Sequence, residues 1–308
     1  MRKHVRTDLL AVLTAGVLWG TLSPVGKRLG MLGTDMLTVG VLRAAIMSIG
    51  AGCLLFFFAP KYFRADRTQL VQIAVIAGPC MVGIYAGFFF ALQYLSVPVT
   101  VVIFFTHPLL TSLGSLLITR ETPDRYQIAG ALLTLAGVTI GVFPAGGGLL
   151  GGIHPVGVAW CLFAALGMSL YSLFGRLSAQ TGFVPQPTLF FYMQVFGLLW
   201  LAIVKSFGTG WGGFLNLSFL QVGWILYVGL VGSLLGYSIY FYSLRTIQAS
   251  TASIVSSIEI VTAFSLSSIL LGQPPSGREM AGAFLIIMAI TLVSRSNVKA
   301  AAGARVAQ

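Results

Sequence analysis

Three ionisable side chains stand far inside apolar runs: Arg43, His107 and Glu259. Such groups are costly away from water, so each calls for a partner or a task. Glu259 lies about ten residues from either end of its run, roughly 15 Å at the helical rise of 1.5 Å per residue. A carboxyl at that depth suits a proton-coupling group, a binder of amino or cationic solutes, or a structural hydrogen bond to a neighbouring helix. His107 also sits in mid-run, where an imidazole that titrates near neutrality could exchange a proton with Glu259 or pack against a serine or a backbone carbonyl. Pro108 follows it and removes a backbone bond to the carbonyl of Phe104. Arg43, eight residues beyond Asp35, could clamp a carboxylate bidentately, neutralise Glu259, or reach back to the interface beside Asp35.

These residues need elements that hold them at depth. Of 308 residues, 57% are apolar and 8% charged, against about 25% charged in soluble domains. Runs of about 20 apolar residues can span a bilayer, and ten are legible: 9–28, 35–58, 70–94, 97–118, 126–143, 155–174, 187–206, 220–244, 249–271 and 278–295. The basic start resembles a signal peptide, but no convincing small-residue cleavage site follows Gly20, so the first run is read as a span. Basic residues favour the cytoplasmic side. With the N-terminus inside, 13 of 18 Lys and Arg face the cytoplasm, four face outward, and Arg43 is within a span. Both termini are therefore expected in the cytoplasm of a bacterial-type inner membrane. The net charge of +11 is then a topology signal, and nucleic acid is not an expected partner.

Residues 85–139 align on 237–291 at an offset of 152 without a gap. Tyr85 falls on Tyr237, Phe89 on Phe241, Ser115 on Ser267, Pro123 on Pro275, Ala129-Gly130-Ala131 on Ala281-Gly282-Ala283, and His107 on Glu259. Five spans per half is an odd number, so the second half enters the membrane upside down. The expected fold is all-α and integral to the membrane: ten transmembrane helices as two inverted five-helix repeats, 1–143 and 155–295, with a glycine-rich linker at 144–154 and a tail at 296–308. Inverted repeats are a transporter device, with the solute site near the midplane where the halves meet. Small pairs four apart, Gly16/Gly20, Gly83/Gly87, Gly137/Gly141 and Gly232/Gly236, are read as packing seams.

A solute cavity needs apolar walls with few polar groups. Trp19, Tyr85, Tyr237, Tyr171, Tyr192 and Gln194 are the candidate wall residues. Cys53, Cys80 and Cys161 lack metal or disulfide spacing and are read as small apolar residues. No metal, cofactor or catalytic residue is expected. An ATP-driven pump lacks a Gly-x-x-x-x-Gly-Lys-Ser/Thr loop, an intramembrane protease lacks paired mid-span aspartates, and a channel lacks charged rings or a carbonyl filter. A non-transporting scaffold fits the mid-span Glu and His poorly.

The chain resembles the EamA branch of the drug/metabolite transporter superfamily over residues 9–295. The resemblance rests on Leu18-Trp19-Gly20, Arg43, His107-Pro108-Leu109 running to Arg120-Glu121-Thr122, and Glu259-Ile260-Val261 running to Leu271-Gly272-Gln273-Pro274, then Gly282. Ile260 stands where the family often has Pro, and Gln273 where it often has Glu. The resemblance implies secondary export of small organic metabolites, such as amino acids and their derivatives, or of cationic drug-like compounds. The expected partners are a small-molecule solute, the lipid bilayer and, if Glu259 couples transport, protons.

Overall fold

The computed structural model describes residues 2–95, 97–142, 154–271 and 276–303, and these contain helices and no strand. Ten helices are long and apolar enough to cross a membrane: α1 (Arg6–Met31), α2 (Met36–Phe58), α3 (Arg67–Ala91), α4 (Val99–Leu117), α5 (Arg125–Val142), α6 (Pro155–Thr181), α7 (Gln186–Phe207), α8 (Phe219–Ser243), α9 (Ala249–Leu266) and α10 (Gly277–Arg295). The linker expected at 144–154 lies outside the described residues up to 153, as do Gly272, Gln273, Pro274 and Pro275. Because spans alternate in direction, the starts of α1, α3, α5, α7 and α9 share one end of the bundle with the end of α10. That end is called the terminal face here, and the other the far face.

The two halves are inverted copies, and the packing obeys the relation. α3 packs on α6 as α8 packs on α1, and α4 packs on α6 as α9 packs on α1. Pairs α4 with α9, α2 with α7 and α5 with α10 meet across the axis. All four glycine pairs lie in seams between helices of the same chain. The one at Gly20 bears on the site, because a Cβ there would stand 2.5 Å from the carbonyl oxygen of Glu259. Only a bare backbone lets α1 approach α9 so closely, and lipid-embedded helices gain their affinity from such approach.

Five spans are not simple α-helices, and α1 is one of them, interrupted at Thr21. α3 and α8 carry wide π-helical stretches at Gly78–Gly87 and Val228–Leu235, a local widening that often accompanies function. α4 breaks at Phe105 and Thr106, and α9 breaks at Ser257, the repeat mate of Phe105. The α4 break has Pro108 to explain it. The α9 break has no proline. There the hydroxyls of Ser256 and Ser257 donate to the carbonyl of Ser253, at 3.0 and 3.3 Å, and serine bonding back onto its own helix bends it. α6 runs to Thr181, past the expected 174, and ends at Gly182 in the left-handed conformation (φ 64°). That extension carries Arg176.

Candidate functional site

The breaks place His107 and Glu259 in the first turn after each interruption, and both line one central cavity of about 190 Å³. Trp19, Arg43 and Tyr237 share its wall, with Phe88, Phe89, Phe104 and Phe105 as apolar surface. Leu22, Phe88, Val101 and Ala263 are in the far halves of their spans, so the cavity extends from mid-membrane toward the far face. Five of the nine residues expected from sequence thus meet in one place.

Their bonding differs. His107 Nδ1 stands 2.9 Å from the Ser253 hydroxyl, and its backbone carbonyl accepts from Thr111 and from Ser169 of α6. The imidazole is therefore held against α9 by a serine and makes no bond to Glu259. Arg43 donates from Nε to the Ser233 hydroxyl at 2.8 Å, and its guanidinium lies 4.8 Å from the centroid of Tyr85. Glu259 has neither ion pair nor hydrogen bond among the described residues. The ring centroid of Tyr237 lies 4.7 Å from that of Trp19.

The remaining candidates stand elsewhere, and each for a physical reason. Tyr85 backs Arg43 from behind the wall, its hydroxyl donating to the sulfur of Met47 at 2.8 Å. Tyr171 is fully buried one ring deeper, 5.5 Å from Tyr237. Gln194 is fully buried on α7. Tyr192 corrects the expectation of a wall residue: its hydroxyl donates to the carbonyl of Phe63 at 2.8 Å, tying α7 to the loop after α2. Asp35 does not engage Arg43 either. It pairs with Lys205, which is wholly buried and also bonded to Thr38 and Thr209. Against burial, which raises a carboxyl pKa, the bonds from Lys205, Thr38 and Thr209 hold Asp35 down at about 2.

The two ends of the bundle are closed differently. At the terminal face Arg176 forks onto Glu121 at 2.6 and 3.0 Å and donates to the carbonyls of Leu244 and Arg245. Gln127 bonds Gln248 and Thr251, Thr246 bonds Asp8, and Tyr240 bonds Ser172 at 2.7 Å. The Arg176–Glu121 fork and the bonds from Gln127 to Gln248 and Thr251 and from Thr246 to Asp8 join the two halves beneath the cavity, and the others lie within the second half. Ser233 and Ser253, which bond Arg43 and His107, are neighbours of the candidate site that sequence reading missed. Their signal was faint, because helical serines bond mostly to their own backbone.

The EamA-like transporter family matches residues 6–143 and 155–295. An uncharacterized transporter of Clostridium kluyveri is 26% identical over 96% of both chains. One of Archaeoglobus fulgidus is 26% identical over 66% of this chain and 70% of its own. The uncharacterized inner membrane transporter YhbE of Escherichia coli K12 is 28% identical over 46% of this chain and 44% of its own. A solved crystal structure superimposes with a TM-score of 0.79 at 18% identity, covering 96% of this chain and 98% of that one. With two inverted repeats, both matched, closing on a central cavity, this chain belongs to the EamA-like transporter family.

Proposed function

We propose that the protein is a secondary active exporter of small zwitterionic metabolites, amino acids or their derivatives, and that the terminal face is cytoplasmic. The carrying observation is the presence of Glu259 and Arg43 in one apolar cavity without an ion pair between them. An amino group on Glu259 and a carboxylate on Arg43 would satisfy both while an apolar side chain meets Trp19 and the phenylalanines. Ionised groups near mid-membrane are otherwise expensive, which supports a task for Glu259.

Size supports a small solute. The cavity of about 190 Å³ falls below the roughly 300–1,000 Å³ of sites for drug-sized ligands. A guanidinium in the wall also disfavours a cationic drug. Basic residues bias the terminal face toward the cytoplasm. In this reading the cavity is open outward, and the inverted halves exchange shapes to expose it inward. Glu259, with His107 as the second titratable group, takes a proton in place of the solute's amino group.

The experiment is counterflow in proteoliposomes with individually labelled zwitterionic amino acids, beside tetraphenylphosphonium as a cationic drug-like probe. The expected result is exchange of one or more zwitterions, lost in Glu259→Gln and Arg43→Gln. Movement of the cation alone would replace this reading with drug efflux. Unchanged rates and unchanged pH dependence in Glu259→Gln would end the coupling role.

A further inference from the structure

A second cavity, about 370 Å³, opens at the terminal face. Its walls come from the terminal ends of α6, α7 and α8 and from the short 3₁₀ turn Pro60–Phe63. Tyr62, Phe190, Phe241 and Tyr242 give it aromatic surface, and Arg245 gives it a cation. The Arg245 guanidinium lies 4.7 Å from the Tyr242 ring centroid and is exposed. Among the described residues no ion pair includes Arg245. A guanidinium stacked on a ring presents its planar donor fork to an oxyanion.

The two cavities nearly meet. Tyr237 lines the central one and Phe241 the terminal-face one, four residues apart on the same α-helical stretch Gly236–Ser243. That is one turn, about 6 Å along the axis. Tyr171 fills the turn, its ring 5.5 Å from Tyr237 and 5.3 Å from Phe241. Its hydroxyl is buried without a partner. Both polar atoms of the Gln194 amide are buried without partners too, one turn along α7 from Phe190, whose ring lies 5.5 Å from Phe241. Buried hydroxyls and amides almost always have partners, so these atoms keep bonding capacity beside the turn that separates the two cavities. Gln186 joins the terminal ends of α6 and α8 by donating to the carbonyls of Gly175 and Phe241, at 3.1 and 3.2 Å.

We propose that the terminal-face cavity is a second solute site, a vestibule that holds a carboxylate-bearing organic solute on Arg245 before it crosses the single turn between Phe241 and Tyr237. This rests on the reading of the central cavity as a solute site. A lipid headgroup phosphate shares the oxyanion chemistry, and the test separates the two.

Ser238 lines the vestibule, and Cys53 is the exposed native cysteine while Cys80 and Cys161 are buried. Ser238→Cys with Cys53→Ala, in phosphatidylcholine proteoliposomes, is treated at the terminal face with an anionic methanethiosulfonate (sulfonatoethyl) and a cationic one (trimethylammonium ethyl). The introduced thiol reacts faster with the anionic reagent, and adding Arg245→Gln lowers the anionic-to-cationic rate ratio about fivefold, as for an exposed charge pair. Benzoate slows the reaction when Arg245 is present and not when it is replaced. Ala179, which also lines the cavity, gives a second thiol position should Ser238→Cys misfold. The proposal is overturned if neither thiol reacts from this face, if the ratio ignores Arg245, or if benzoate gives no protection while added phosphatidylglycerol shifts the ratio, which would assign Arg245 to lipid. Labelling requires no transport, so it can fail while Glu259 and Arg43 still prove essential to counterflow, and the reverse.

Discussion

His107 and Glu259 each stand two residues beyond equivalent repeat positions, Phe105 and Ser257, at which their spans break. The inverted repeat has therefore conserved a backbone event and exchanged the chemistry placed on it. One copy presents an imidazole already bonded to Ser253. The other presents a carboxyl with its bonding capacity open to the cavity.

From that asymmetry Glu259 is expected to matter more than His107. Glu259→Gln keeps shape and removes the charge, and a hydrogen bond to a charged group contributes about 1.5–3 kcal/mol, so half-saturating solute concentration in counterflow rises at least about tenfold. His107→Gln keeps a group able to bond Ser253 and lowers transport by a smaller factor. Equal losses in the two variants, measured at matched amounts of folded protein, would contradict the assignment.

Arg43 is aimed by its neighbours. Ser233→Ala removes the acceptor 2.8 Å from Nε and leaves the charge, so affinity for a carboxylate-bearing solute drops about fivefold for one hydrogen bond of about 1 kcal/mol. Arg43→Lys loses the fork as well as the Ser233 bond and falls further. Concentration series for both variants check the order; a Ser233→Ala protein worse than Arg43→Lys would show that Ser233 acts through the backbone of α8, where its own hydroxyl donates to the carbonyl of Val228.

Arg43, His107 and Glu259 were legible because an ionisable side chain inside an apolar run is costly wherever it points. The repeat was legible because its offset needs no gap. Wall membership was less so: Tyr192 and Tyr237 look alike in sequence, and only neighbouring helices decide that one ties a loop and the other faces the cavity. The α9 break was hidden because Ile260 replaces the proline that would have announced it, and the serines that bend the helix are common in helices. Lys205 and Asp35 could each be placed at the far end of a span, yet nothing local joins residues 170 positions apart.

Gly20 offers a test of the contact between α1 and α9. A Cβ there meets the Glu259 carbonyl at 2.5 Å and the Thr262 Cβ at 2.5 Å, so Gly20→Ala must push the helices apart at the site. Overpacking costs about 1–3 kcal/mol, and transport is expected to fall with it. Gly26→Ala is the control, since a Cβ there meets nothing within 4 Å and alanine favours a helix by up to about 1 kcal/mol over glycine. Thermal unfolding in detergent should lower the midpoint for the first and hold or raise it for the second.

The far-face pair gives the sharpest stability test, because its partners are unequally exposed: the Lys205 side chain not at all, that of Asp35 at 29%. Asp35→Asn can keep the side-chain oxygen that caps α2 through the amide of Thr38, but it removes the charge and the weaker acceptor for the amide of Leu37 at 3.3 Å, leaving the Lys205 ammonium buried without its counter-ion. Breaking a fully buried pair costs about 3–5 kcal/mol, and the partial exposure here sets the expectation lower, at about 2 kcal/mol. Lys205→Met leaves a carboxylate that water and the cap still serve, so it costs less, and the double variant recovers part of the Asp35→Asn loss. The pH dependence follows from a folded-state pKa held down at about 2 against an ordinary 3.8. A depressed carboxyl contributes its full stability above the ordinary value and loses it as pH falls toward the folded one. The gap in unfolding midpoint between the native protein and Asp35→Asn should therefore be constant from pH 7 to about 5 and narrow between about pH 4 and pH 2. A gap that stays constant to pH 2, or a Lys205→Met protein less stable than Asp35→Asn, would show that the ammonium is stabilised mainly by Thr38 and Thr209 and not by the carboxylate.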